Sequence, residues 1–216
     1  MARAKKNKPT VTAILLVVEG TTEKIYFERL KGLERYSSLK IKPDLPKHSN
    51  LTTLLDYAKD EQASGAYDYV WLLFDRDVLQ TQKLPKTTLD LINNPEKLKK
   101  HGIDIADSMP CFEIWFLLHY CLPKQTYQNQ DKLIEELCKH IPNYCKKQEW
   151  LDKNDIYAML KDKINTAFEN SKTLRERNKK ADTSDYSMCN IDFAYYRNTK
   201  TGKEIGTKYV RHRKTI

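Results

Sequence analysis

The sequence predicts an α/β protein, a Rossmann-type parallel sheet with helices on both faces. Three observations predict it. Two nearly continuous apolar runs, VTAILLVV at 11–18 and YVWLLF at 69–74, read as strands buried on both sides. Both stop abruptly in acid, at Glu19 and at Asp75-Arg76-Asp77. Between and after them, apolar residues recur at helical spacing, which gives the alternating order of a parallel sheet with crossover helices.

The elements follow in order. After the first strand, Gly20 leads to Thr21 and Thr22, candidate helix N-caps. Tyr26, Leu30 and Leu33, with Phe27 beside them, give that helix its apolar face. Leu39 to Ile41 is a weaker strand, stopped by Pro43 and Pro46. Leu51, Leu54, Leu55 and Ala58 mark a second amphipathic helix, which Gly65 ends. Beyond the strand at 69–74, Pro85 and Pro95 break a polar stretch into short helices, and Ile103 to Ile105 form a short fourth strand. Ser108-Met109-Pro110 turns the chain into an aromatic-rich helix over 111–120. After Pro123 the pattern is helical only: Leu133, Ile134 and Leu137 mark one helix, and Ile156, Leu160, Ile164 and Phe168 a longer one. From about Lys172 the chain is strongly basic with scattered aromatics. The expected division is therefore 1–122, a helical annex at 123–171 packed on it, and a basic C-terminal segment at 172–216.

With 216 residues and a net charge of +9, the chain favours polyanionic partners, nucleic acid above all. Its five cysteines, an odd count without C-x-x-C spacing, predict reduced thiols and a cytoplasmic location. No apolar run is long enough for a membrane span, and the basic start lacks the cleavage site of a signal peptide. Cys138, His140 and Cys145 match no common zinc spacing, and Pro142 interrupts them.

Acid at the ends of two buried strands carries the chemistry. The carboxyl ends of parallel strands lie along one edge, so Glu19 is expected to converge on Asp75 and Asp77. Gathered carboxylates repel one another, and a hard cation such as Mg²⁺ or Mn²⁺ relieves the repulsion and can bridge to a phosphate. Glu23 lies in the first turn of the first helix, where it either joins the site or complements the helix dipole. Glu113, among Phe112, Ile114, Trp115 and Phe116, must be paired or ligated if buried. It is a further metal ligand, a catalytic neighbour or a helix cap. His119 reads as structural, at a helix end that favours positive charge. Cys111 has no flanking base that would make it a nucleophile.

Three segments together carry a family resemblance: VVEGTTEKIYFERL, LLFDRD and SMPCFEIWFLLHY. They resemble the E-G-x-x-E-x-x-Y-F, F-D-R-D and S-N-P-x-F-E-x-W-x-L-L-H blocks of the RloB family, also called AbiLii. Met109 stands where that family usually has Asn. The resemblance spans about the first 120 residues. It implies a Toprim-like metal-binding catalytic domain at 1–122, with Mg²⁺ held by Asp75 and Asp77. Glu19 would then be the general acid/base or a further ligand. It also implies a setting in prokaryotic anti-phage defence, often beside an ATPase partner and sometimes near CRISPR genes.

Two functions follow as expectations. One is a Mg²⁺-dependent endonuclease of DNA or RNA, using Glu19, Asp75, Asp77 and Glu113, with Glu23 as an additional ligand. The other is a non-catalytic nucleic-acid sensor or adaptor that regulates an ATPase partner. Nucleotidyl transfer would need the same acids, but no dedicated nucleotide motif accompanies them. In the basic segment, Arg175, Arg177, Lys179, Lys180, Arg211, His212 and Arg213 are candidate phosphate contacts. Tyr186, Tyr195, Tyr196 and Tyr209 are candidate base-stacking groups, unless the segment is simply solvated.

Overall fold

Strand β1 (Ile14–Val18) is buried along its whole length and sits inside the sheet. The computed structural model describes residues 13–43, 50–127, 129–181 and 187–196, the Tyr196 side chain excepted. Helix α1 (Thr21–Leu33) follows β1 at once, with Gly20 as its N-cap in place of the expected threonines. It buries Tyr26, Phe27 and Leu30, while Leu33, in its last position, is 47% exposed and drops off the expected face. Strand β2 (Leu39–Lys42) returns parallel to β1. Helix α2 (Leu51–Ala63) is capped by Asn50, whose side chain accepts from the Thr53 N–H, and buries the expected Leu51, Leu54, Leu55 and Ala58.

Strand β3 (Tyr69–Asp75) pairs parallel with the other side of β1. Short helices α3 (Val78–Thr81), α4 (Lys86–Asn93) and α5 (Pro95–Lys100) lead to β4 (Ile103–Met109), parallel to β3. β4 is longer than its apolar pattern predicts, because Asp107 and Ser108 find partners inside the sheet and can be buried. Then come α6 (Glu113–Leu118), α7 (Gln130–Cys138), α8 (Gln148–Lys153) and α9 (Ile156–Leu160). A 3₁₀ turn at Lys161–Lys163 precedes α10 (Ile164–Ala181), so the expected long helix is two. Strand β5 (Met188–Cys189) and helix α11 (Asp192–Tyr196) close the described chain.

The sheet order is β2-β1-β3-β4-β5, with β5 antiparallel to β4. Side-chain alternation along the strands divides the interior in two. Ile14, Leu16, Val18, Trp71 and Leu73 face the layer that holds α1 and α6, whereas Leu15, Val17, Val70, Leu72 and Phe74 face the layer that holds α2. This is an α/β sheet covered on both faces, as the strand runs imply.

The annex packs on the sheet layer as expected, and the described part of the C-terminal segment packs there too. One core cluster joins Ile14 and Phe116 to Leu133 and Tyr157 of the annex, and to Leu174, Cys189 and Tyr195 beyond it. α10 runs unbroken through the expected boundary at 171/172. β5 was invisible in the sequence because two residues carry no periodicity. Among the described residues no helix is long and apolar enough to cross a membrane.

Candidate functional site: an acidic cluster at the carboxyl edge of the sheet

β1 lies between β2 and β3, so the chain leaves it in opposite directions along the sheet. The crevice beyond the carboxyl ends of such a strand pair is where open α/β sheets place their ligands. Glu19 follows β1 there, and Asp75 closes β3. The Glu19 Oε2 accepts a hydrogen bond from the Asp75 N–H at 3.1 Å, which ties the two strand ends together. Ser108, on β4 directly across from Asp75, donates its hydroxyl to Asp75 Oδ1 at 2.7 Å. Asp77 has left the strand and stands at the N-terminus of α3.

Arg76 points out of the cluster. Its guanidinium meets the buried Asp107 carboxylate at 2.7 Å, and Asn190 donates to the other oxygen of Asp107, also at 2.7 Å. The central arginine of D-R-D therefore anchors the turn, so that its two neighbours face the crevice. A Cβ on Gly20 would collide with the Glu23 carboxylate, so a side chain here would displace Glu23. Glu23 is buried in the first turn of α1 behind it.

Glu113 is fully buried at the start of α6, as an acid needing a partner. Tyr144 donates its hydroxyl to Oε1 at 2.8 Å, and the Lys146 ammonium lies 3.0 Å from Oε2. Both partners come from the loop between α7 and α8. Sequence reasoning missed Tyr144 and Lys146, which sit in no marking pattern and are far from the first acids in the chain, and it read Ser108, the head of the third motif, as a turn residue only.

The electrostatics are those of carboxylates gathered away from water. Burial first, and the charge of Asp77 after it, raise Glu19 to about 7. Burial and the neighbouring Glu113 and Glu19 raise Glu23 to about 7. Asp75 is pushed well up by burial and by Glu23 and Glu113, against the Ser108 hydrogen bond. Asp77 is raised by burial, offset by Lys146. Lys146 opposes the rise at all four acids.

The donor set is carboxylate oxygen, which suits a hard cation such as Mg²⁺ or Mn²⁺ rather than a thiophilic one. A dication would relieve the repulsion that raises these groups. As placed, no three His, Cys, Asp or Glu side chains among the described residues stand close enough to share an ion. Cys138, His140 and Cys145 do not assemble either: Cys138 Sγ lies 3.6 Å from the Tyr144 carbonyl, and His140 Nε2 lies 3.7 Å from Cys121 Sγ.

The remaining candidates are spent on structure. Tyr26 accepts from Trp115 Nε1 at 3.0 Å, and the hydroxyls of Tyr195 and Tyr26 lie 2.7 Å apart, so Tyr195 is a core residue and offers no stacking face. His119 is buried with Nδ1 2.8 Å from the Trp115 carbonyl, and burial lowers it to about 4. It is neutral, because burial outweighs the favourable helix end. The Cys111 thiol is raised by burial and by Glu113. Arg175 grips the buried Asp192 with two bonds, 2.6 and 2.7 Å, and Arg177 donates to the Pro123 carbonyl. Both guanidiniums are thus engaged within the chain, while Lys179 and Lys180 are exposed. Arg211, His212, Arg213, Tyr186 and Tyr209 lie outside the described residues.

Fold and site define a class: a doubly covered, mostly parallel-sheet protein with a partly buried carboxylate cluster at the carboxyl edge of its switch point. The model of the RloB-like protein family matches residues 14–194, and the chain belongs to that family. The match extends well past the three motifs, through the annex to α11. Neither a curated protein nor a solved structure matches the chain.

Proposed function

We propose that the chain is a Mg²⁺- or Mn²⁺-dependent nuclease of DNA or RNA, of Toprim type, serving prokaryotic anti-phage defence. The observation that carries this reading is the meeting of Glu19 with Asp75 at the switch-point crevice, beside Asp77 and Glu23. Asp75 and Asp77 would hold the ion, with Glu19 and Glu23 completing the set. The chemistry supplied by such an ion when bound is polarisation of a phosphodiester and acidification of a water. Glu19 would serve as the general acid/base or as a further ligand, from its place beside Asp75. Ser108 holds Asp75 in place, and the Arg76–Asp107 pair holds the turn. Glu113 stays behind the cluster, where its charge is set against Lys146.

The test is incubation of purified protein with plasmid, single-stranded DNA and tRNA, with Mg²⁺ or Mn²⁺. Asp75→Ala and Glu19→Ala should each reduce cleavage roughly a hundredfold or more. Cleavage that persists in both variants overturns the assignment.

A second reading is favoured by one observation, that no three donors converge on a common centre among the described residues. It is a non-catalytic nucleic-acid sensor or adaptor for an ATPase partner. Tight binding without turnover, with the ATPase present, would decide for it.

A further inference from the structure

Lys146 is the cation that the acids of the crevice share. It reaches Glu113 at 3.0 Å and bears on Glu19, Glu23, Asp75 and Asp77. Its place is fixed from behind. Tyr144, two residues earlier, is buried, bonds to Glu113 and packs edge-on against Phe116 and Trp150. Lys146 itself belongs to no helix or strand, and its Nζ also reaches Gln130 Oε1 at 3.3 Å.

The pair is lopsided in exposure: the Glu113 side chain is 0% exposed and the Lys146 side chain 35%. A closed structural ion pair would shield both partners. Here the carboxylate is enclosed, and the ammonium remains partly open to solvent.

A polyanion approaching this site enters the field of five acids, two of them buried. Once a divalent cation has drawn the acids into their ionised form, five carboxylates against that cation and one ammonium remain net negative, and a phosphodiester adds to that charge. An approaching phosphate needs a cation that is both exposed and already positioned. Arg175 and Arg177 are committed elsewhere.

We propose that Lys146 is the substrate-facing cation of the site, keeping its pair with Glu113 while its exposed side reaches a backbone phosphate oxygen of a bound polynucleotide. This deepens the nuclease reading and rests on its view of the crevice as a polynucleotide site. An ammonium suits the role as a compact point charge with three donors, enough for Glu113, Gln130 and a phosphate oxygen together.

The test measures binding of labelled single-stranded DNA, duplex DNA and tRNA over a salt series, with Ca²⁺ replacing Mg²⁺ to suppress turnover. Wild type, Lys146→Met and Lys146→Arg are compared. In Lys146→Met, affinity at low salt should fall about tenfold, and the slope of log affinity against log salt should become shallower by about 0.7–0.9, one phosphate contact. Lys146→Arg should keep the slope. Mg²⁺ affinity, read by calorimetry, should be retained or tightened in Lys146→Met, since a competing cation has gone. If Lys146→Met does not fold, Glu113→Gln with Lys146→Met removes both charges and should show the same loss of slope.

An unchanged slope overturns the proposal, as does failure of wild type to bind any of the three probes. Loss of Mg²⁺ binding in Lys146→Met also overturns it, by making Lys146 part of the metal cradle. A Lys146-dependent slope without cleavage by wild type sinks the nuclease reading and leaves this proposal standing. Cleavage by wild type with an unchanged slope does the reverse.

Discussion

At Gly20 the Glu23 carboxylate occupies the space a Cβ would take, and it must shift to admit one. Gly20→Ala should therefore displace Glu23 and cut cleavage sharply, with a smaller effect on melting temperature; wild-type turnover would remove Glu23 from the site. Tyr26 looks chemical in its motif but joins α1, α6 and α11 through two hydroxyl bonds. Tyr26→Phe should cost about 1–3 kcal/mol in denaturant melts and leave Mg²⁺ affinity unchanged. The acids make stability depend on pH. Glu19 and Glu23 stand at about 7 in the folded chain against an ordinary 4.5, so the folded state holds their protons more tightly than the unfolded state does. Their contribution is favourable below 4.5 and falls as pH rises to about 7. Bound Mg²⁺ should reverse that loss. Its stabilisation, read as a shift in melting temperature, should be larger at about pH 8, above that window, than at about pH 5.5, within its lower half. A pH-independent shift would remove these two acids from the metal's neighbourhood.

Among the elements, α10 decides how its basic residues are to be read. Its first arginine closes a bidentate pair on Asp192, whose side chain is 0% exposed, and stacks on Phe193. Removing one partner of such a pair strands the other charge in the core, so Arg175→Met should destabilise the fold by about 3 kcal/mol. Any fall in nucleic-acid binding would follow that instability. Lys179 and Lys180, exposed in the last turn, behave oppositely: their joint replacement by Ala should leave the melt unchanged and flatten the salt dependence of binding. An intact salt slope would leave the described part of the basic segment without a part in binding.

On the scale of the whole molecule, the annex and β5–α11 complete the sheet domain. Leu174, Cys189, Ile191 and Tyr195 are buried with β1 and α6 in one cluster. A chain ended at residue 171 should therefore fail to give a cooperative melt, whereas a separable C-terminal segment would leave the melt intact. The annex also brings Tyr144 and Lys146 to Glu113, so the site is assembled from the first strand, the third strand and a loop more than 100 residues beyond the first acid. The family match over 14–194 follows the same extent.

The sequence by itself determined the sheet and the identity of its acids. VTAILLVV and YVWLLF can be stable only as strands covered on both sides, and their acidic ends then share one edge. The apolar spacing of α2 likewise specified its buried face. What the tertiary structure alone decided is which polar residues act and which merely support. Arg175, Arg177 and Tyr195 read as ligand-binding groups until long-range packing gave them partners inside the chain. Lys146 carries no periodic or motif signal, and Ser108 none beyond its place at the head of the third motif, because their roles depend on contacts with residues 33 positions away along the chain. Hydrophobic periodicity reports which face of an element is buried; it does not report which distant carboxylate a lone lysine will meet.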